Sequence, residues 1–162
     1  MRGAGLAILL ALSAPPTLAG PRLTEPQIRG LAERQSRAWN AGDLAAYFAT
    51  FTPAARFTDQ ALGNDNRIVP YGASTLAEAR AQSRKTLARG KVRETLTPGA
   101  VTVAPGGRAA QLAAEVVTDI SGAAGPRRVC AKRIETFALT PAGPRATGQT
   151  DTIVRCRAGA IG

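Results

Sequence analysis

The stretch Ala38-Trp39-Asn40-Ala41-Gly42-Asp43-Leu44-Ala45-Ala46-Tyr47 decides how this 162-residue chain is read. Before it, Ile28, Leu31, Ala32, Ala38 and Trp39 recur at helical spacing. Thr24-Glu25-Pro26-Gln27 opens that helix, with Thr24 and Gln27 at capping-box spacing and Pro26 in the first turn. Asn40-Ala41-Gly42 stops it, Gly42 fitting the left-handed cap. Asp43 then caps a second, short helix with Leu44, Tyr47, Phe48 and Phe51 on its apolar face, and Pro53 ends it.

Downstream, Ala55 to Leu62 is strand-like, and Gly63-Asn64-Asp65-Asn66 is a turn cluster. Pro70-Tyr71-Gly72 leads into a third helix, capped by Thr75 and Glu78 and closed by Gly90. From Lys91 the period changes to two. Strands are expected through Val92 to Ala104 with a break at Pro98-Gly99, then over 111–121, 128–139 and 145–157. Helices come first and a meander of about four antiparallel strands comes last. That is an α+β class, with one curved sheet wrapping the helices.

The N-terminus has a different character. Met1-Arg2-Gly3 precedes an apolar run from Ala4 to Ala14, then Pro15-Pro16 and Thr17-Leu18-Ala19. A basic start, an apolar centre and a small-residue site predict a secretory signal over 1–19, cut after Ala19. The run is shorter than the roughly 20 residues a membrane span needs. Residues 20–162 are then one domain, large enough to bury a core, located in the periplasm or secreted. No transmembrane segment is expected.

The net charge is +10, which favours acidic partners. The densest basic segment is Arg80, Arg84, Lys85, Arg89, Lys91 and Arg93. No aromatics are interleaved with it, so it reads as a solvated helix face and not as a nucleic-acid site. Loose association of this segment with an anionic envelope surface is a further reading. The chain has no histidine. That removes the commonest general base, the commonest zinc ligand and every Ser-His or Cys-His pair. No metal and no cofactor is expected.

The quoted stretch, with Ala54-Ala55-Arg56-Phe57-Thr58-Asp59 and Tyr71-Gly72 before the third helix, resembles the nuclear transport factor 2-like proteins. These include SnoaL-like polyketide cyclases and ketosteroid isomerases. The resemblance implies a cone: helices packed in a curved antiparallel sheet, often around a pocket. It also implies that Asp59, near the end of the first strand, occupies the place of the isomerases' general base. A carboxylate on an apolar wall has its pKa raised, which suits proton transfer near neutrality. The isomerases' carbonyl-polarising phenol falls at Gln35, a departure from the pattern. Trp39 and Tyr47 are candidates for lining the pocket, with plain core packing as the alternative.

Cys130 and Cys156 fall on the last two expected strands. Pairing centred on Gly143 sets them opposite each other, and an exported chain would oxidise them to a disulfide. The alternative is two buried thiols. The same register puts Cys130, Ile134, Ala138, Val154 and Cys156 on one face, read as core together with Leu112, Val116, Thr118 and Ile120. Lys132 falls on that apolar side, as a snorkelling side chain or as a ligand contact in the pocket. The opposite face carries Glu115, Asp119, Arg133, Glu135, Asp151 and Arg155, read as a solvated charge lattice or a homodimer surface.

Two functions compete. One is an exported protein that binds a small apolar ligand, or an accessory protein, without catalysis. The other is a lyase, isomerase or cyclase using Asp59 as base.

Overall fold

The computed structural model describes residues 20–123 and 125–157. The expected signal at 1–19 and the tail from Ala158 lie outside the described residues. The element order is α1 (Glu25–Asn40), α2 (Leu44–Ala49), β1 (Phe51–Leu62), β2 (Ile68–Thr75), α3 (Leu76–Ala88), β3 (Gly90–Val103), β4 (Ala109–Gly122), β5 (Arg127–Thr140) and β6 (Gly143–Val154). The six strands form one sheet in the order β2-β1-β6-β5-β4-β3. Neighbours are antiparallel except β1 and β6, which run parallel. No helix among the described residues is long and apolar enough to cross a membrane.

The local signals explain the helices. Thr24 and Gln27 form a complete capping box on α1, and Thr75 and Glu78 form one on α3. Each satisfies two backbone donors that a helix start otherwise leaves bare. Gly42 has φ +71°, the left-handed turn between α1 and α2. Asp43 accepts a hydrogen bond from the Ala46 backbone N–H at 2.9 Å and so starts α2 immediately.

The core lies between the concave sheet face and the helices. Ile28, Leu31 and Ala32 of α1 and Tyr47 and Phe48 of α2 pack with Phe51, Ala55, Phe57, Leu112 and Phe137 of the sheet. Phe48, Phe51 and Phe57 form an aromatic cluster with centroids 5.0–6.2 Å apart.

Four expectations are corrected. Phe51 begins a strand and does not end a helix, and Pro53 lies inside that strand. Residues 68–75 form a strand, β2, where only a lead-in to α3 was expected. Pro70 is tolerated there because β2 is an edge strand and the pairing slips beside it, between Asp59 and Gln60 of β1. This edge leaves Ile68, Val69 and Tyr71 exposed.

The third correction is the last hairpin. Its pairing is Thr140↔Gly143 at the turn, and a bulge between Thr136 and Phe137 then sets Cys130 opposite Val154. Cys156 lies beyond the end of β6, yet it is bonded to Cys130 with Cα atoms 5.2 Å apart. The disulfide is present, but by a different register. Replacing both cysteines by alanine should lower stability by about 2 kcal/mol. The value sits low in the usual range because a local hairpin keeps some association in the unfolded chain. Thermal melts with and without reductant check this, and an unchanged melting temperature would contradict it.

The fourth correction is the face of β5 and β6. Ala131, Arg133, Glu135 and Phe137 are buried, whereas Lys132 and Thr136 are exposed. Register pairs share a face. Leu112 and Val116, correctly read as core, therefore sit beside Glu135 and Ala131, not beside the Cys130 set. Lys132 points away from the cone, opposite Glu115, and contacts no interior pocket. The charges expected on a solvated or dimer-forming face divide. Arg133, Glu135 and Asp151 are inside the cone, while Glu115 is outside.

Candidate functional site

The sheet register places the interior charges. Asp59 of β1, Asp151 of β6 and Arg133 of β5 are successive cross-strand partners, so their side chains stand in one row on the concave face. Gly72 of β2 completes the row beside Asp59. A Cβ at Gly72 would lie 3.2 Å from the Asp59 carboxylate, so glycine gives that carboxylate its space.

Arg133 is the hub. Its Nη1 and Nη2 donate to the two Glu94 oxygens at 2.8 and 3.0 Å, and its Nε and Nη2 donate to Asp151 at 2.8 and 2.9 Å. Both partners are engaged in fork-to-fork geometry. Burial alone would lower the guanidinium's pKa, but Asp151 and Glu94 outweigh it and hold Arg133 firmly protonated. Gln149 donates to Asp151 at 3.0 Å and accepts from the Tyr47 hydroxyl at 3.0 Å. Burial pushes the Tyr47 phenol well above its ordinary pKa, so it stays neutral.

Glu135 is 2 % exposed, and among the described residues its hydrogen-bond donor is an amide and not a guanidinium. Its partner is Gln35 of α1, whose Nε2 donates to Glu135 Oε1 at 2.5 Å and to Thr50 Oγ1 at 3.0 Å. Thr50 in turn donates to the Tyr47 carbonyl. Burial pushes the Glu135 carboxyl up to about 7, against the pull of Gln35 and Arg133.

Asp59 is half-buried. Burial, reinforced by Asp151, raises its pKa, with Arg133 opposing. It borders a cleft of about 180 Å³ between β1 and α3, shared with Gln149, Ser74 and Gln82. Gln35 is not at that cleft.

The larger concavity lies elsewhere. A groove of about 1080 Å³ opens where the C-terminal ends of α1 and α3 meet β3, β4 and the start of β5. Asn40 builds it. Its side chain donates to the Glu94 carbonyl and accepts from the Glu94 N–H, both at 2.8 Å, and so pins the end of α1 to β3. Trp39 lines the groove and packs on Tyr47 with centroids 5.3 Å apart.

Of the residues singled out from sequence, the structure brings Gln35 and Tyr47 into the buried network. It sets Asp59 at one margin of that network, Trp39 in the groove, and Lys132 outside. Glu94 and Gln149 were not singled out, and Arg133, Glu135 and Asp151 were assigned to a solvated or dimer-forming face. Phe137 was the available signal. It has the parity of Arg133 and Glu135, and an aromatic mid-strand marks the covered face.

No protein-family model matches the chain, and no curated protein does. Solved structures do match in fold. A protein from Novosphingobium aromaticivorans, assigned as the beta subunit of an aromatic-ring-hydroxylating dioxygenase, superposes with TM-score 0.65 at 15% identity, over 85% of this chain and 93% of its own. An NTF2-like protein with a cystatin-like fold from the same organism gives 0.60 at 21%, over 83% and 84%. A ketosteroid isomerase-like protein from Erwinia carotovora atroseptica gives 0.61 at 12%, over 81% and 96%. The fold is therefore the NTF2-like, cystatin-like cone, as the sequence resemblance implied.

Proposed function

We propose that this chain is an exported, non-catalytic binding or accessory protein that takes a small, largely apolar ligand in the groove beside Trp39. The supporting observation is that the interior polar groups are spent on one another. Both amide hydrogens of Gln35 are donated, to Glu135 and Thr50. Gln35, which stands at the place of the isomerases' phenol, is thus not free to polarise a carbonyl opposite Asp59, and a base without such a donor lacks half of an isomerase. Space argues the same way. Ligand sites usually measure about 300–1,000 Å³. The groove reaches that size, and the cleft at Asp59 does not. Similar folds belong to an isomerase-like protein and to a subunit of a larger enzyme, so the fold allows either role. The Cys130–Cys156 bridge supports export, since disulfides persist in oxidising compartments.

Native mass spectrometry of protein recovered from the cell envelope tests this. The chain should begin near Gly20 and carry a mass increment that unfolding releases. Trp39→Phe with Leu87→Asp should abolish the increment, and Asp59→Asn should keep it. Loss of the increment in Asp59→Asn alone would move the ligand to the cleft. The raised pKa of Asp59 would then favour the second reading, in which Asp59 acts as a general base.

A further inference from the structure

The groove carries a chemical preference that its size alone does not. Its apolar lining comes from Trp39, Leu87, Val92 and Ile120. Its rim is cationic: Lys91, Arg93, Arg127 and Arg128 all line it. Asp119 is the single carboxylate among the lining residues, and it is committed to Arg128 through hydrogen bonds of 2.7 and 3.0 Å. Lys91, Arg93 and Arg127 thus exceed the local negative charge by three. The C-terminal ends of α1 and α3 each add a partial charge of roughly −0.5, together too little to balance them. Val92, Ile120 and Arg127 are register partners across β3, β4 and β5, so one row runs from apolar wall to cationic rim.

We infer that the groove selects a small amphiphilic anion: an apolar body against Trp39, Leu87, Val92 and Ile120, and one carboxylate or sulfonate head at Lys91, Arg93 and Arg127. This rests on the binding reading above and adds the ligand's charge to it. The groove is open but concave, with apolar lining from both helix ends and sheet, which suits a small molecule better than the flat surface of a lipid bilayer.

Two fluorescent probes separate the claims: anilinonaphthalene sulfonate and phenylnaphthylamine, which lacks the sulfonate. Both should quench Trp39, the only tryptophan in the chain. The sulfonate should bind at least tenfold tighter. Arg93→Gln with Arg127→Gln, both at exposed positions, should remove that advantage and leave the uncharged probe unchanged. Equal binding of the two probes by the unsubstituted protein would overturn the anion preference while keeping the groove. Failure of both probes to bind would overturn the binding reading itself. An advantage that survives the double substitution would also refute the assignment, by placing the head elsewhere. Displacement of the sulfonate by phosphatidylglycerol vesicles, but not by free naphthoate, would reverse the choice of a small molecule over a membrane.

Discussion

Arg133→Met should lower the unfolding free energy by about 3–5 kcal/mol, because it strands Glu94 and Asp151 as unpaired charges inside the cone. All three side chains are desolvated, with Arg133 and Glu94 each 8 % exposed. Their net value in the native protein is modest, since the attraction mainly repays desolvation. The loss on removing one partner is large because that repayment stops while the desolvation remains. Adding Glu94→Gln and Asp151→Asn to Arg133→Met should therefore recover most of the loss. Urea unfolding of the single and triple variants checks both parts. A loss under about 1 kcal/mol for the single variant would mean that water reaches the cluster.

Stability should fall as pH rises from about 4.5 to about 7, by about 3 kcal/mol, and Glu135→Gln should abolish most of that fall. Glu135 titrates near 4.5 when unfolded and near 7 in the native protein. Between those values the native state holds more protons than the unfolded state, so unfolding becomes easier with rising pH. Below the window both states are protonated and Glu135 costs nothing. Above it the native protein carries a buried carboxylate with an amide for a partner and no cation of its own. One pKa unit corresponds to about 1.4 kcal/mol. Gln at this position still accepts from Gln35 and cannot ionise, so above pH 7 the variant should be the more stable protein. Asp59 shifts in the same direction and should leave a shallower residual slope. Urea midpoints across this range, for both proteins, are the measurement. A native protein whose stability rises through the window would contradict the burial of an ionised Glu135.

The helices and the class of fold were readable because their signals are local. Capping boxes, Gly42 and Asp43 each act within one turn of chain. The site was not readable, because it depends on which face of β5 turns inward. Along Cys130-Ala131-Lys132-Arg133-Ile134-Glu135 both faces carry charge, so alternation of hydrophobicity cannot choose between them. Cys130 looked like a core residue, but its burial comes from the disulfide on the outer face. The pairing centred on Gly143 failed for a different reason: the turn closes earlier, with Thr140 opposite Gly143, and the bulge at Thr136/Phe137 makes up only part of the difference. Asp59 lies on the inner face of β1, opposite Asp151, a position read from the family resemblance and not from the alternation of the strand.

The parallel seam between β1 and β6 joins the first strand of the chain to the last. A polypeptide emerging N-terminus first can form α1, α2 and the β1–β2 hairpin early, but the hairpin has no place in the sheet until residues 143–154 have also emerged. For a chain emerging in that order closure should come last, and long-range contacts such as Thr58 with Thr150 should slow folding. Until then both edges of the hairpin are unpaired, and Ile68, Val69 and Tyr71 are unprotected. Nascent chains cut short of β6 should be the aggregation-prone species of this protein, and holdase chaperones should recognise them through that hairpin.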